Sequence, residues 1–149
     1  MSIKIIDGDL FTTTAPYICH QVNCQGKMGS GVAKIIRSRF PEAFEEYREV
    51  CSNGHARLGL TQYVISKGRK IIVNMFAQER YGYDGKRYTS YKAFSMCLED
   101  IHRSVPHGST IAMPYKIGCG LGGGNWDIIY EMIECELGRD YHVELWRLA

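Results

Sequence analysis

Long hydrophobic runs are missing from this 149-residue chain. No stretch approaches the roughly 20 consecutive apolar residues of a membrane-spanning helix, and the start, MSIKIIDGD, puts acids where a secretory signal needs an unbroken apolar segment. A cytoplasmic protein with no membrane partner is expected. Excess charge is missing too: 18 Lys and Arg against 16 Asp and Glu leave a net +2, too little for a dedicated nucleic-acid binder with a clustered basic face. A small anionic ligand stays compatible. Six cysteines are scattered at 19, 24, 51, 97, 119 and 135, but none form a C-x-x-C pair and no histidine stands at zinc-finger spacing. No zinc and no structural metal is therefore expected, and reduced, mostly buried thiols are. Without linkers or low-complexity tracts, residues 1–149 read as a single domain, long enough to bury roughly 68–70% of its unfolded surface.

What the chain has is glycine, 16 residues of it, concentrated in two loops. Thr110 to Met113 reads as a buried strand stopped by Pro114. A helix starting at Trp126 is marked by apolar residues at 126, 129, 130, 133 and 137. Between them Gly118, Gly120, Gly122 and Gly123 remove the Cβ limits on the backbone, so that N–H groups can converge on one point. The helix beginning near Asn125 is expected to add its own unpaired amides and positive dipole end. That is the physics of a phosphate or diphosphate cradle. Tyr17 to Val22, the loop Asn23 to Gly31, and a helical face of Val32, Ile35, Ile36 and Phe40 repeat the same strand, glycine loop and helix pattern. Two such loops on one sheet edge can grip a ligand from both sides.

The other segments complete the architecture. Ser2 to Ile6 reads as a strand, Glu42 to Cys51 as a helix after Pro41, Leu60 to Ser66 and Lys70 to Phe76 as a strand pair joined at Lys67-Gly68-Arg69. Ala77 to Thr89 reads as a loop that could cover a site, Ser90 as the N-cap of a helix to about Ser104, and Tyr141 to Leu148 as a closing strand. The order β, β, α, α, β, β, α, β, α, β predicts an α/β fold with a mixed sheet of about six strands and helices on both faces. Gly118-x-Gly120-x-x-Gly123 matches a dinucleotide fingerprint in letters only. That fingerprint normally opens the first βαβ unit, whereas here only one further strand follows it, which disfavours a dehydrogenase. Gly26 to Gly31 lacks the Lys-Ser/Thr pair of a Walker loop, so ATP hydrolysis is not expected.

Taken together, Gly8-Asp9-Leu10, Asn23 in VNCQG, Met28-Gly29-Ser30-Gly31-Val32-Ala33, Asn74 to Gln78 and the stretch MPYKIGCGLGGGNW resemble the macrodomains, the ADP-ribose-binding modules. These matches run nearly the whole length in the family's order. The closest likeness is to the branch with ADP-ribose 1''-phosphate phosphatases and terminal ADP-ribose glycohydrolases. The resemblance implies a three-layer α/β/α macrodomain fold, no cofactor, and ADP-ribose or a derivative as partner, with ADP-ribosylated macromolecules as further candidates. It implies that Asp9 accepts from the adenine 6-amino group beside the Leu10 backbone, and that Asn23 meets the distal ribose hydroxyls. Met28, Gly29, Ser30, Gly31 and Val32 would wrap ribose and phosphate. Ile117, Gly118, Cys119, Gly120, Leu121 and Gly122 would hold the diphosphate, with Phe76 and Trp146 as further contacts.

For catalysis the resemblance points to His20, in CHQVNCQG, as carrier of a proton. The expected function is phosphate removal from ADP-ribose 1''-phosphate. Alternatives are a reader of ADP-ribose without turnover, or a glycohydrolase acting on modified protein or nucleic acid. Members that use a lysine and an aspartate would need the lysine near Ala77-Gln78 and the acid where Gly122 stands; both are missing. NCQGKMGSG also lacks the acid that deacylase-type members place around that loop. Cys24 and Cys119 border the loops but are expected to be inert packing residues.

Overall fold

The computed structural model describes residues 1–148. Its elements follow the expected order: β1 (Ser2–Asp7), β2 (Tyr17–Asn23), α1 (Gly31–Arg39), α2 (Pro41–Ser52), β3 (Thr61–Ile65), β4 (Ile71–Gln78), α3 (Tyr91–Ser104), β5 (Thr110–Pro114), α4 (Trp126–Leu137) and β6 (His142–Arg147). They build one mixed six-stranded sheet, β1-β6-β5-β2-β4-β3, with helices on both faces. Every pairing is parallel except β3 with β4.

Local chemistry explains the elements. β4, IIVNMFAQ, is buried from Ile72 to Ala77, as an interior strand with helices on both faces must be. Pro41 fixes the start of α2 and pushes Phe40 before it to φ −129°, which separates α1 from α2. Ser90 caps α3 by accepting from Ala93 N–H, and Ala93, Phe94, Cys97, Leu98 and Ile101 are the face that α3 buries. With Ile129, Ile133 and Leu137 of α4 they cover one side of the sheet. On the other side, Ile36 of α1 and Ala43 of α2 pack on Ile18, Ile72 and Ala112, while Met28 and Tyr47 close over Val22 and Phe76. Two residues of the β3–β4 connection, Gly68 (φ 69°) and Arg69 (φ 61°), are left-handed, which turns the chain within one short 3-10 segment.

One pairing determines where a ligand can go. β2 and β5 are in register only at Tyr17 with Ile111 and Ile18 with Ala112, and beyond these pairs no ladder joins them. β2 leads into α1 on one face and β5 into α4 on the other. Chain connections that leave adjacent parallel strands in opposite directions open a crevice at the strands' carboxyl ends.

Candidate functional site

The crevice holds a cleft of about 420 Å³ between the two glycine loops. Asn23, at the end of β2, organises the first loop. Its Oδ1 accepts from Gln25 N–H at 2.9 Å and its Nδ2 donates to the Lys27 carbonyl at 2.9 Å. The hydroxyl of fully buried Tyr47 lies 2.7 Å from both Oδ1 and the carbonyl of Asn23, and accepts from Lys27 N–H. The amide expected to serve ribose hydroxyls is thus largely spent on the loop, with one Nδ2 hydrogen left over. Past it, Gly31 enters α1 with φ 58°, a conformation that a Cβ would strain. Ser30 stands at the N-cap of α1 without capping it; its hydroxyl is 2.7 Å from that of Tyr83, in the loop after β4. The first amides of α1 are left without a side-chain acceptor, and Gly31, Val32 and Ala33 line the cleft.

The second loop is held from behind. The Gly118 carbonyl, at φ 76°, accepts from the Thr89 hydroxyl at 2.7 Å and from Gly124 N–H at 2.9 Å. Gln21 Nε2 donates to Thr89 Oγ1 at 2.8 Å and to Gln78 Oε1 at 2.6 Å. The Gly122 carbonyl accepts from Tyr88 and Thr89 N–H groups at 2.7 and 2.9 Å. With its carbonyls turned to this scaffold, the loop keeps the amides of Gly118, Gly120, Leu121 and Gly122 without an acceptor among the described residues. Gly120 faces open space, whereas a Cβ on Gly122 would sit 2.6 Å from Thr89 Oγ1.

One expectation is corrected. α4 does not offer its N-terminus to the cleft: the Asn125 side chain accepts from Asp127 and Ile128 N–H and caps the helix itself. The uncapped helix beside the cleft is α1.

A second depression of about 250 Å³ continues the cleft past Val32, Pro114 and Tyr115, which border both. Asp9, Leu10 and Trp146 lie here rather than in the main cleft. Asp9 Oδ1 accepts from Phe11 N–H at 2.9 Å, which leaves Oδ2 without a partner among the described residues. Trp146 donates its indole N–H to Glu144 Oε1 at 2.9 Å. Three expected contacts fall outside both spaces. Met28 and Phe76 are buried in the apolar cluster under the first loop, and Cys119 packs against the main core with its thiol toward the Ile117 carbonyl. Their side chains answer the demand for core volume; the loops' own backbones face the cleft.

His20 lines the cleft but is only 1% exposed. Asn74 Nδ2 donates to the Ala43 carbonyl and to Gln62 Oε1, so Asn74 Oδ1 is the acceptor at 2.5 Å from His20 Nε2. His20 therefore carries its proton on Nε2, and Nδ1 is a buried lone pair without a partner among the described residues. Burial outweighs the Asn74 bond and lowers its pKa to about 4, so the ring is neutral at pH 7. All six cysteines are free. Burial pushes the Cys24 and Cys119 thiols up to about 11, away from nucleophilic thiolate. Among the described residues, no carboxylate and no thiol lines the main cleft.

Gln21, Gln78, Thr89, Tyr81 and Tyr83 belong to the site and were not singled out by sequence reasoning. Tyr81 and Tyr83 stand edge to face, centroids 6.3 Å apart, in the segment read as a covering loop, and both line the cleft. Gln21 and Gln78 sit near the ends of the neighbouring strands β2 and β4; neither that adjacency nor their meeting at Thr89 was legible in the sequence, which placed Gln78 in the loop.

Comparison with known proteins agrees with this architecture. An ADP-ribose 1''-phosphate phosphatase of Debaryomyces hansenii is 29% identical over 167 residues, covering 88% of this chain and 92% of that protein. A DNA ADP-ribosyl glycohydrolase of Mycobacterium tuberculosis is 27% identical over 130 residues, covering 85% of this chain but 36% of that protein, so the chain spans about a third of its length. The structure of Thermosipho africanus DarTG in complex with ADP-ribose superposes with a TM-score of 0.82 at 19% identity, over 98% of this chain and 41% of that one. The sequence model of the Macro domain matches residues 19–133. The chain belongs to the Macro domain family.

Proposed function

We propose that the cleft binds ADP-ribose and that the protein hydrolyses an ADP-ribose derivative, ADP-ribose 1''-phosphate by preference. The observation that carries this reading is the convergence of two sets of unpaired backbone amides, at the start of α1 and from Gly118 to Gly122, on one cleft. Such amides suit a diphosphate, because they bring partial positive charge without competing counter-ions. The adjoining depression, with Leu10, Trp146 and the free Oδ2 of Asp9, suits a planar base that carries an amino group. The likeness to the yeast phosphatase over nine-tenths of that protein's length supports the choice of derivative.

In this reading the loops fix diphosphate and distal ribose and align the terminal phosphate for attack by water. Water adds to phosphorus, the bond from phosphorus to the bridging ribose oxygen breaks, that oxygen takes up the proton that water gives up, and ADP-ribose and inorganic phosphate leave. Positioning and oriented dipoles do most of the work. His20, protonated on Nε2, has only Nδ1 with which to accept the proton of water. Phosphate release from ADP-ribose 1''-phosphate tests the proposal. The wild type should turn over, and His20→Gln should bind normally and release phosphate at least about tenfold more slowly. Full activity in the variant removes His20 from the mechanism.

A second reading has an observation of its own. A main cleft lined, among the described residues, by no carboxylate and no thiol favours a module that reads ADP-ribose without turnover. Binding without phosphate release, and without release of ADP-ribose from modified protein or DNA, selects it over both the phosphatase and a glycohydrolase like the mycobacterial relative.

A further inference from the structure

At the opposite end of the sheet from the cleft, His102 near the end of α3, His107 in the α3–β5 connection and Asp140 just before β6 are brought together. One ligating atom from each lies within 4.8 Å of the others. His102 Nε2 is 2.8 Å from Asp140 Oδ2, and His102 Nδ1 is 3.2 Å from Glu136 Oε1 on α4. The two imidazoles stack with centroids 4.9 Å apart at 24°, and the ring of buried Tyr141 stands edge-on to both, at 5.8 and 5.5 Å. The Tyr141 hydroxyl is within hydrogen-bond reach of the carbonyls of Ile101, His102 and Val105, which fixes the turn that carries the histidines.

We propose that His102, His107 and Asp140 form a binding site for a divalent transition-metal ion of the zinc type. Two imidazoles and a carboxylate are a borderline-soft donor set that suits zinc better than calcium or magnesium, which take oxygen ligands. Glu136 supplies what metal-bound histidines usually have, a carboxylate on the other ring nitrogen that fixes tautomer and orientation. Binding requires that His102 lose the Nε2 proton now given to Asp140, a proton released to solvent as the ion enters, and that His107, whose Nε2 is 3.3 Å from the His102 carbonyl, offer an unprotonated ring nitrogen. His107 is exposed, so the ion has an open approach, and water completes the coordination. The absence of zinc-finger spacing does not bear on this trio, which the fold assembles from positions 102, 107 and 140. The ion would tie the end of α3 to the start of β6 and, through Glu136, to α4, far from the diphosphate loops.

The test is calorimetric titration of the metal-stripped full chain with zinc chloride, beside a cobalt(II) absorption spectrum and melting curves with and without zinc. The expected result is one saturable site per chain, a zinc-dependent rise in melting temperature, and loss of affinity by about tenfold or more in both His107→Ala and Asp140→Asn. His107 is exposed, so its variant should fold whatever becomes of the other. No saturable site, a smaller loss in either variant, or a cobalt spectrum with thiolate charge-transfer bands each overturns the proposal, the last by placing the metal on cysteine.

Discussion

Folding strips His20 of nearly all its water and leaves it one partner among the described residues, Asn74, so protonation of the ring competes with folding. In the unfolded chain its pKa is the ordinary 6.5 and in the folded protein about 4. Between these values the unfolded state binds the extra proton, so stability is complete above pH 6.5 and falls as pH drops toward 4. His20 alone should cost about 2 kcal/mol between pH 7 and pH 5. Urea unfolding at both pH values checks this: His20→Gln should lose about 2 kcal/mol less than wild type over that interval, and equal losses would contradict it. Asp9 allows a different experiment. Asp9→Asn keeps an oxygen for Phe11 N–H but replaces the free acceptor with a donor. It should weaken ADP-ribose by about 1–3 kcal/mol without moving the melting temperature, and unchanged affinity would remove Asp9 from the site.

At the scale of loops and helices, the two glycine loops differ from residue to residue in what they tolerate. Gly120 has nothing within 4 Å of a Cβ and no left-handed φ, so Gly120→Val should fold and obstruct the cleft. Gly122→Ala would drive a methyl group against Thr89 Oγ1 at 2.6 Å and the Gly118 carbonyl at 2.8 Å, and should cost about 1–3 kcal/mol of stability by thermal or urea unfolding. Similar melting temperatures for the two variants would contradict the loop geometry. Thr89→Val removes the hydroxyl that joins Gln21 to the Gly118 carbonyl. It should loosen the loop and weaken ADP-ribose by calorimetry, with Thr89→Ser restoring affinity; an unaffected valine variant would show that the tie is dispensable. Strands, helices and both loops were legible because apolar periodicity and glycine density are local signals. The Thr89 tie was not, since Gln21 and Thr89 are 68 positions apart and polar residues in a long loop carry no period. The ownership of the free helix end was misread for a simpler reason. An asparagine before a helix caps it with its own side chain, whereas Ser30, an equally good cap by type, gives its hydroxyl to Tyr83.

For the molecule as a whole, sequence order indicated a mixed sheet but not which strands adjoin. The cleft depends on that adjacency: β5 and β2, far apart in sequence, pair for two residues and then part, and their helices leave to opposite faces. The glycine loops supply the amides, and the parting of the strands supplies the space. The second depression follows from β6 lying between β1 and β5, which brings Trp146 beside Asp9 and Leu10 at the same sheet edge as the cleft.

Calorimetric titration of ADP-ribose into the wild type and into Gly120→Val tests the central claim most directly. The account predicts saturable binding to the wild type at a micromolar dissociation constant, about 8 kcal/mol, and its loss in a variant that melts at the wild-type temperature. No heat with the wild type, or equal affinity in the two proteins, would contradict it and release the glycine loops for another ligand.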